Sequence, residues 1–475
     1  MSQPSHVPFW LVRLKNFLAI LLKNKLAATG FFFLVFFIFL AIAAPLLTPY
    51  NPSGSVVSGK FDAPDWVTVV NGPSGYSKNI AFPGLSINQS GSGLNVVASG
   101  QTPTSVNLHI VSGGQAGTVQ LLESLTYPYL GSPRSISGLA NLVVSGLNNP
   151  FTVNVYLERV GEAKINLWYP TVINATRTYA PNPAIDSALG AFNTQLGLPS
   201  SGVIDAASYL FAPRAANYNY VMQFAVPSSF SGTIKVTQFS MTLLGTTWGI
   251  LGTDSGGHDI FTQIVYGARL SLIVGLVATG ISIGFGLIIG LMAGYLGKIV
   301  DEVLMRFTDM LLVIPNLPLL IVLVATIGPS LLYIILFLGF FGWQGFARVV
   351  RSQVLSLRER PFIEAAKASG AGTGYILVRH VFPNIVSLTY VSLALSVPAA
   401  IVGEAALSFL GLGDPTTITW GQMLQRADQA GINTANLAWW WIIPPGVAIA
   451  LISLSFILLG YAMDEMFNPR LRRRR

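Results

Sequence analysis

Residues 270–296 read LSLIVGLVATGISIGFGLIIGLMAGYL, a stretch without a charged side chain that lies between Arg269 and Lys298. A helix rises about 1.5 Å per residue, so about 20 apolar residues cross the ~30 Å hydrocarbon core of a bilayer. The stretch is therefore predicted to be a transmembrane helix. The whole composition agrees with a membrane protein, since 52% of the 475 residues are hydrophobic and only 10% are charged.

Glycines recur along this stretch at a spacing that brings several of them to one helix face. They are Gly280, Gly284, Gly286, Gly290 and Gly294. Small residues four apart let a second helix approach closely in lipid, where van der Waals contact drives association. We expect close helix packing at these five positions.

Five further apolar stretches are long enough to cross a bilayer, at residues 26–47, 310–327, 330–346, 385–408 and 437–463. The sequence therefore predicts an α-helical membrane protein with six transmembrane helices. The first stretch follows basic residues, as in a signal peptide, but it is longer than a signal core and lacks a small-x-small cleavage site, which favours a retained anchor. The prolines of these stretches, Pro315, Pro318, Pro398, Pro444 and Pro445, are expected to kink or break helices.

The net charge of +8 comes from basic residues that flank the apolar stretches, in the tails 13–25 and 472–475 and in the loops 298–306 and 348–379. This placement favours lipid headgroups over nucleic acid as the partner. Lys and Arg in short loops stay in the cytoplasm, so six crossings with both termini inside satisfy every cluster. Residues 1–25 and 466–475 are then cytoplasmic tails of a plasma-membrane protein, and residues 26–48 form its first transmembrane helix.

Residues 50–245, between the first and second helices, contain no spanning stretch, and the topology places them outside the cell. Segments 106–110, 151–158 and 234–237 alternate apolar and polar residues, as half-buried strands do. An all-β, sandwich-like extracellular domain is predicted. Asn88 and Asn174 each begin an Asn-x-Ser/Thr sequon and are candidate glycosylation sites.

The role of this domain is open between two hypotheses. It docks an external solute-binding protein, or it binds solute on aromatic platforms such as Trp66, Trp168 and Tyr169. Core packing is the more common fate of such aromatic residues.

Residues 361–370 read PFIEAAKASG, in a basic loop between two predicted helices. Pro361 suits the first turn of a helix, and Gly370 suits the position just after its end. Ala365, Ala366 and Ala368 give the helix a thin face that another protein can approach, and Glu364 and Lys367 are spaced to pair at i,i+3. By spacing alone, an ordinary surface helix that joins two spans explains the segment equally well.

With its surroundings, this segment resembles the Glu-Ala-Ala loop of permeases in binding-protein-dependent ABC importers, where Glu-Ala-Ala is followed by Gly and later by Pro. Glu364, Ala365, Ala366, Gly370 and Pro383 occupy those positions. The stretches LGTD at 251–254, YGARLS at 266–271, VRSQVLSLRE at 350–359 and EAALSFLGLG at 404–413 are similar to the C-type permease subunit of the peptide/nickel branch.

The resemblance implies a type I ABC importer permease core over residues 248–465, with five helices and a cytoplasmic coupling loop at 351–383. The residues that it assigns to ATPase coupling are Glu364, Ala365, Ala366, Lys367, Gly370 and Pro383. The partners that it implies are a second homologous permease, two ATP-binding-cassette ATPase subunits and an extracellular solute-binding protein. The solute would be a peptide or a similar molecule, with an oligosaccharide as the alternative.

Two features depart from that family. Where the family usually has Gly-Arg-Asp after the LGTD motif, this chain has Gly257-His258-Asp259. Residues 50–245 are the larger departure, because relatives usually join these helices by a much shorter connection.

No catalytic, cofactor or metal site is predicted. The pair Gly297-Lys298 lacks the first glycine and the hydroxyl of a P-loop, so ATP hydrolysis is expected on partner chains. There is no cysteine, and the four histidines lack metal-ligand spacing. Ser282 lies in a Gly-x-Ser-x-Gly pattern, but no strand precedes it, which favours packing over a nucleophile.

Two other functions fit parts of the sequence. A membrane-anchored receptor or binding module without transport activity explains the external domain but not five further helices. An ion-coupled carrier typically shows internal repeats and charged, broken helices, which are not evident here.

Glu404 is an ionisable residue in a predicted transmembrane helix, and counting from Ile385 places it near the outer boundary of the membrane. It is a candidate for the pathway or for the headgroup layer. Asp309, at the inner boundary, has the same two interpretations.

Overall fold

The computed structural model of the protein describes residues 23–467 except residues 71–74, 83, 200–204, 212–214 and 432–437. The basic tails at 1–22 and 468–475, used above to orient the helices, lie outside the described residues. The chain forms two compact units, Val56–Asp259 and the remainder on either side of it.

Helix α1 (Lys25–Leu47) belongs to the helical unit. Asn24 caps it, since its side-chain oxygen accepts hydrogen bonds from N–H groups of the first turn. The amide of Asn24 also donates to Glu465 Oε2 at 3.0 Å. Gly30 lies so close to the C-terminal part of the chain that a Cβ there would be 2.8 Å from the carbonyl oxygen of Ser455. The missing side chain therefore lets α1 pack tightly within this unit.

The other unit is built mainly from strands, and its described residues also form three short helices. In chain order its elements are α2 (Val67–Val70), β1 (Ile80–Ala81), β2 (Ser86–Ser90), β3 (Leu94–Ser99), β4 (Val106–Ser112), β5 (Gly117–Tyr127), β6 (Ser135–Ser145), β7 (Phe151–Arg159), β8 (Lys164–Ile173), β9 (Thr178–Tyr179), β10 (Ile185–Asp186), α3 (Gly190–Gln195), α4 (Ala206–Leu210), β11 (Ala216–Val226) and β12 (Ser231–Leu244). The strands predicted from alternation are found as β4, β7 and a part of β12.

These strands form two antiparallel sheets. One has the order β10-β6-β12-β4-β3, with β1 beside β12 and β9 beside β6, and the other has the order β2-β5-β11-β7-β8. Along β5 and β12, buried residues alternate with more exposed ones, as a strand with one face on a core requires. The inward residues of both sheets join one hydrophobic core that includes Val119, Leu121, Leu142 and Ile234.

The rest of the helical unit follows this β unit in sequence. Its elements are α5 (Ile260–Leu296), α6 (Lys298–Val313), α7 (Asn316–Ile327), α8 (Leu331–Phe340), α9 (Gln344–Arg358), α10 (Pro361–Ala368), α11 (Thr373–Ile376), a π-helical segment (Leu377–Val381), α12 (Phe382–Leu407), a second π-helical segment (Ser408–Leu412), α13 (Trp420–Gln429) and α14 (Trp439–Phe467).

Five segments of the described chain are long and apolar enough to cross a membrane, namely Lys25–Leu47, Ile260–Leu296, Leu331–Arg358, Thr373–Leu412 and Trp439–Met466. Helices α6 and α7 are long and apolar enough to cross a membrane only when they are taken together. Counting this pair as one span gives up to six spans in the described chain.

The α6–α7 pair is bent by 82° at the break before Pro315. A proline disfavours helical geometry in the residue before it, and Ile314 is extended with φ −74° and ψ 122°. The predicted span 310–327 is therefore not one straight helix. Pro398, Pro444 and Pro445 lie inside the continuous helices α12 and α14, so they do not break these helices, and a kink at these positions stays a prediction.

Three of the five glycines of α5 pack as predicted. A Cβ at Gly286 would be 2.8 Å from the carbonyl oxygen of Trp343, and at Gly290 it would be 2.6 Å from Val350 Cβ. Gly294 stands equally close to α9, which therefore lies directly on α5. At Gly280 and Gly284 a Cβ would meet no described residue within 4 Å, so close packing at these two positions stays a prediction.

Candidate functional site

Helix α10 is sharply bounded at both ends. Pro361 lies in its first turn, where a missing N–H costs no hydrogen bond. At the other end, Gly370 has a φ of +83°, the N–H of Gly370 donates to the carbonyl of Lys367 at 2.9 Å, and the N–H of Ala371 donates to that of Ala366 at 3.0 Å. These two bonds form a Schellman motif, which needs the left-handed backbone that glycine adopts without strain.

One face of α10 packs against the helical unit. Ile363 is 0% exposed and shares a hydrophobic cluster with Val354 of α9 and Ile385 of α12. Lys367 Nζ stands 5.4 Å from the centre of the Tyr295 ring of α5, in a cation–π contact. The short helix is thus attached to three longer helices of its own chain.

The opposite face of α10 is exposed. Phe362 is 44% exposed, and Glu364, Ala365 and Ala368 are exposed beside it. The ion pair predicted between Glu364 and Lys367 is not formed among the described residues. Lys367 instead lies over the Tyr295 ring, and Glu364 is exposed. The result is an apolar surface of one aromatic ring and small alanines with a single carboxylate.

Helix α9, which leads into α10, is attached to α6 by two ion pairs. Arg351 Nη2 and Asp301 Oδ2 are 2.6 Å apart, and Arg348 pairs with Asp309. Arg358, the last residue of α9, also donates to the carbonyl oxygen of Tyr295 at 3.4 Å. Sequence reasoning missed these contacts, since neither arginine stands at helical spacing from its carboxylate.

Pro383 lies in the first turn of α12, where it is exposed. The same turn reaches the cluster around Ile363, because Phe382 and Ile385 pack there. Glu364, Ala365 and Ala368 lie on the outer face of α10. Ala366 is partly buried against the cluster on the inner face, so its predicted place on the approachable face is wrong. The structure thus brings the predicted residues to one end of the helical unit.

Glu404 is 1% exposed, and its Oε1 accepts a hydrogen bond from Ser408 Oγ at 2.7 Å. Ser408 begins the π-helical segment that ends α12. Helix α13 packs against this bend so closely that a Cβ at Gly421 would be 2.6 Å from Ala405 Cα. The carboxyl of Glu404 is therefore enclosed by the bend of its own chain.

In the β unit, His258 replaces the arginine that the resemblance leads one to expect. Its Nδ1 stands 3.0 Å from Asp254 Oδ2, and its N–H donates to Asp254 Oδ1 at 2.9 Å. The histidine therefore closes a turn on the LGTD aspartate.

The aromatic candidates of the β unit differ in exposure. Trp168 is 7% exposed and belongs to the core, so the hypothesis that it forms a solute-binding platform is wrong. Tyr169 is 52% exposed, and Trp66 is 43% exposed with its Nε1 donating to the carbonyl of Ile250. Asn88 and Asn174, the sequon residues, are both exposed.

Comparison with known proteins covers both ends of the chain. Residues 286–473 match the family model described as binding-protein-dependent transport system inner membrane component, and residues 13–64 match the N-terminal TM domain of oligopeptide transport permease C. Residues 65–285, which include the strands of the β unit, lie outside both matches.

Two curated relatives have similar names. The dipeptide transport system permease protein DppC of Alkalihalophilus pseudofirmus is 41% identical over 222 residues, 46% of this chain and 72% of that protein. The di/tripeptide transport system permease protein DppC of Pseudomonas aeruginosa is 33% identical over 264 residues, 55% of this chain and 84% of that protein. These matches confirm the resemblance seen in the motifs and identify a transmembrane transport subunit rather than an enzyme. The chain belongs to the family of binding-protein-dependent transport system inner membrane components, as an ABC permease of the dipeptide and oligopeptide group.

Proposed function

We propose that this permease forms half of a pathway that carries peptides across the plasma membrane, together with a second homologous permease. The names of the relatives, which are dipeptide and di/tripeptide permeases, support this solute class. An oligosaccharide is the competing solute, and it is distinguished by the transport assay below.

Helix α10 is the proposed docking element for one of two ATP-binding-cassette ATPase subunits. Its attached inner face and exposed outer face are the observation that carries this proposal. A partner that moved the outer face would also move α5, α9 and α12, because Ile363 belongs to one hydrophobic cluster with residues of these helices and Lys367 lies over the Tyr295 ring. Rigid-body motion of this kind is how ATPase closure would open the pathway to alternate sides.

The proposed topology has six crossings, with the α6–α7 pair as one of them. Both termini and the loop 351–383 lie in the cytoplasm, in agreement with the basic residues of that loop.

The β unit, as a sandwich-like extracellular domain, docks the solute-binding protein. The exposure of Asn88 and Asn174 is compatible with glycosylation there. Glu404 is proposed to stabilise the outer end of α12 beside the pathway, since its carboxyl is enclosed and bonded to Ser408.

The test is reconstitution of the chain with its ATPase subunits, second permease and solute-binding protein in liposomes. Radiolabelled alanyl-alanine should accumulate only when ATP and the binding protein are present, and an excess of unlabelled trisaccharide should not compete. A receptor without transport activity would bind solute yet show no ATP-dependent accumulation. Failure of the ATPase subunits to copurify with the chain would also contradict the proposal.

A further inference from the structure

We propose that a cavity within the helical unit, lined by four polar side chains among apolar ones, binds the main-chain amide groups of a peptide as it passes through the membrane. The cavity has a volume of about 340 Å³ and is lined by residues of α5, α7, α8 and α12. Sites for small molecules start at roughly 300 Å³, so the cavity suits a dipeptide-sized segment. The inference rests on the proposed peptide transport, and it adds a solute contact site to it.

Four polar side chains line this cavity. They are Thr279 and Ser282 of α5, Asn316 of α7 and Ser396 of α12. The hydroxyl of Thr279 is buried and has no hydrogen-bond partner among the described residues. The side chains of the other three likewise form no hydrogen bond with a described residue. Thr279 and Ser282 are buried, Ser396 is half-buried and Asn316 is exposed, so the four groups differ in their access to water.

The positions of these groups follow from two local features. Thr279 and Ser282 are three residues apart on α5, so their side chains lie on one helix face. Asn316 is the first residue of α7, directly after the break at Pro315. An interrupted helix at membrane depth is tolerated where it faces protein or a water-filled cavity. The break therefore agrees with a cavity that holds polar side chains at this place.

A lipid acyl chain is a poor occupant of this space. It would leave the hydroxyls of Thr279, Ser282 and Ser396 without partners in an apolar medium, and each unpaired group carries a desolvation penalty. None of the described lining residues is ionisable, so the cavity does not select for a charged side chain. The amide groups of a peptide both donate and accept hydrogen bonds, as the hydroxyls of Thr279, Ser282 and Ser396 also do.

The absence of cysteine from the sequence makes a direct test of this cavity practical. Ser396→Cys and Asn316→Cys each place one thiol at the cavity, and Val322→Cys places one on α7 at an exposed position outside it. In the reconstituted importer, a charged, water-soluble methanethiosulfonate should label the first two at least tenfold faster than the third. Alanyl-alanine with binding protein and ATP should slow that labelling. Equal rates for all three would overturn the proposal, because the cavity would then be filled by lipid or by a partner helix.

A second pair of variants tests the hydroxyl itself. Thr279→Val keeps the shape of the side chain and removes its unpaired hydroxyl, whereas Thr326→Val removes a hydroxyl that already donates to the carbonyl of Val322 at 2.9 Å. At saturating binding protein, we expect Thr279→Val to slow alanyl-alanine uptake at least threefold with unchanged ATP hydrolysis, and Thr326→Val to match wild type.

The two hypotheses fail in different ways. If the wild-type importer accumulates alanyl-alanine but Thr279→Val behaves as Thr326→Val and peptide does not protect the thiols, the solute site is refuted and peptide transport stands. If the wild type accumulates no peptide although its ATPase subunits are bound, the proposed solute class is refuted together with the site.

Discussion

Glu123 occupies an inward-facing position of β5, between Leu121 and Leu125, and is 0% exposed. Neither carboxylate oxygen has a hydrogen-bond partner in the described chain. Burial raises the pKa of Glu123 to about 7, although the main chain of Met241 acts to lower it. The carboxyl is therefore protonated in the folded unit at mildly acidic pH, since an ionised group would lack both water and a counter-charge.

This pKa shift predicts that the β unit is more stable in acid. The unfolded carboxyl loses its proton near its ordinary pKa of 4.5, while the folded one keeps it until about pH 7. The contribution of Glu123 to the free energy of unfolding is therefore fully present below pH 4.5 and is lost as the pH rises to 7. At 1.36 kcal/mol per pKa unit, this loss is about 3 kcal/mol at most. Glu123→Gln should remove this dependence. Hydrogen exchange of the amides of β5 and β11, measured by mass spectrometry on the full chain at pH 5 and pH 8, checks it.

The control for Glu123 is Glu162→Gln, which neutralises a carboxylate that is 49% exposed. It should leave the difference between pH 5 and pH 8 as in the wild type. Loss of the difference in both variants, or its persistence in Glu123→Gln, would assign the effect to another group.

Gly370 sets the end of α10 through its backbone alone. A Cβ there meets nothing within 4 Å, but φ is +83°, a conformation that costs other L-residues roughly 1–2 kcal/mol. Gly370→Leu should therefore redirect the chain after α10 and abolish ATP-dependent uptake while membrane insertion is retained. Gly372→Leu is the matched control, because its φ is −70° and its surroundings are equally open, and it should transport normally. Normal uptake by Gly370→Leu would remove this turn from the mechanism.

Among the elements, α10 presents two neighbouring residues to opposite sides. Phe362 is exposed on the outer face and Ile363 is fully buried on the inner one. If the outer face docks an ATPase subunit, Phe362→Ala should lower the amount of ATPase that copurifies. Ile363→Ala should keep the ATPase bound but loosen α10 from its own chain, since truncating a buried isoleucine typically costs 2–5 kcal/mol.

The second variant has a distinct signature in the reconstituted importer. ATP hydrolysis should continue in Ile363→Ala while uptake per ATP falls severalfold, which is loss of coupling rather than loss of docking. Equal copurification of ATPase with wild type and Phe362→Ala would show that the docking surface lies elsewhere.

At the scale of the whole molecule, the first and last segments of the β unit run side by side within that unit. Ala63 N–H donates to the carbonyl of Thr246 at 2.9 Å, and Phe61 N–H donates to that of Asp254 at 3.0 Å. Residues 66–245 can therefore be replaced by a short Gly-Ser linker with little loop-closure cost. We expect this deletion to weaken binding of the solute-binding protein at least tenfold, about 1.4 kcal/mol, and to leave uptake normal at saturating binding protein. Unchanged affinity in a titration would refute docking by the β unit.

The sequence by itself determined the apolar helices, the strands found as β4, β7 and part of β12, and the ends of α10. Each depends on local chemistry: the length of an uncharged stretch, the alternation of side chains, or the backbone limits of Pro361 and Gly370. The family was readable for the same reason, because its motifs are contiguous.

Only the tertiary structure decided which groups meet. It paired Arg351 with Asp301, placed Lys367 over the Tyr295 ring, buried Glu123 among apolar residues and gathered Thr279 and Asn316 at one cavity. The partners in these contacts lie tens of residues apart and on different elements. Their meeting depends on how helices and sheets pack, which no local pattern of residues specifies.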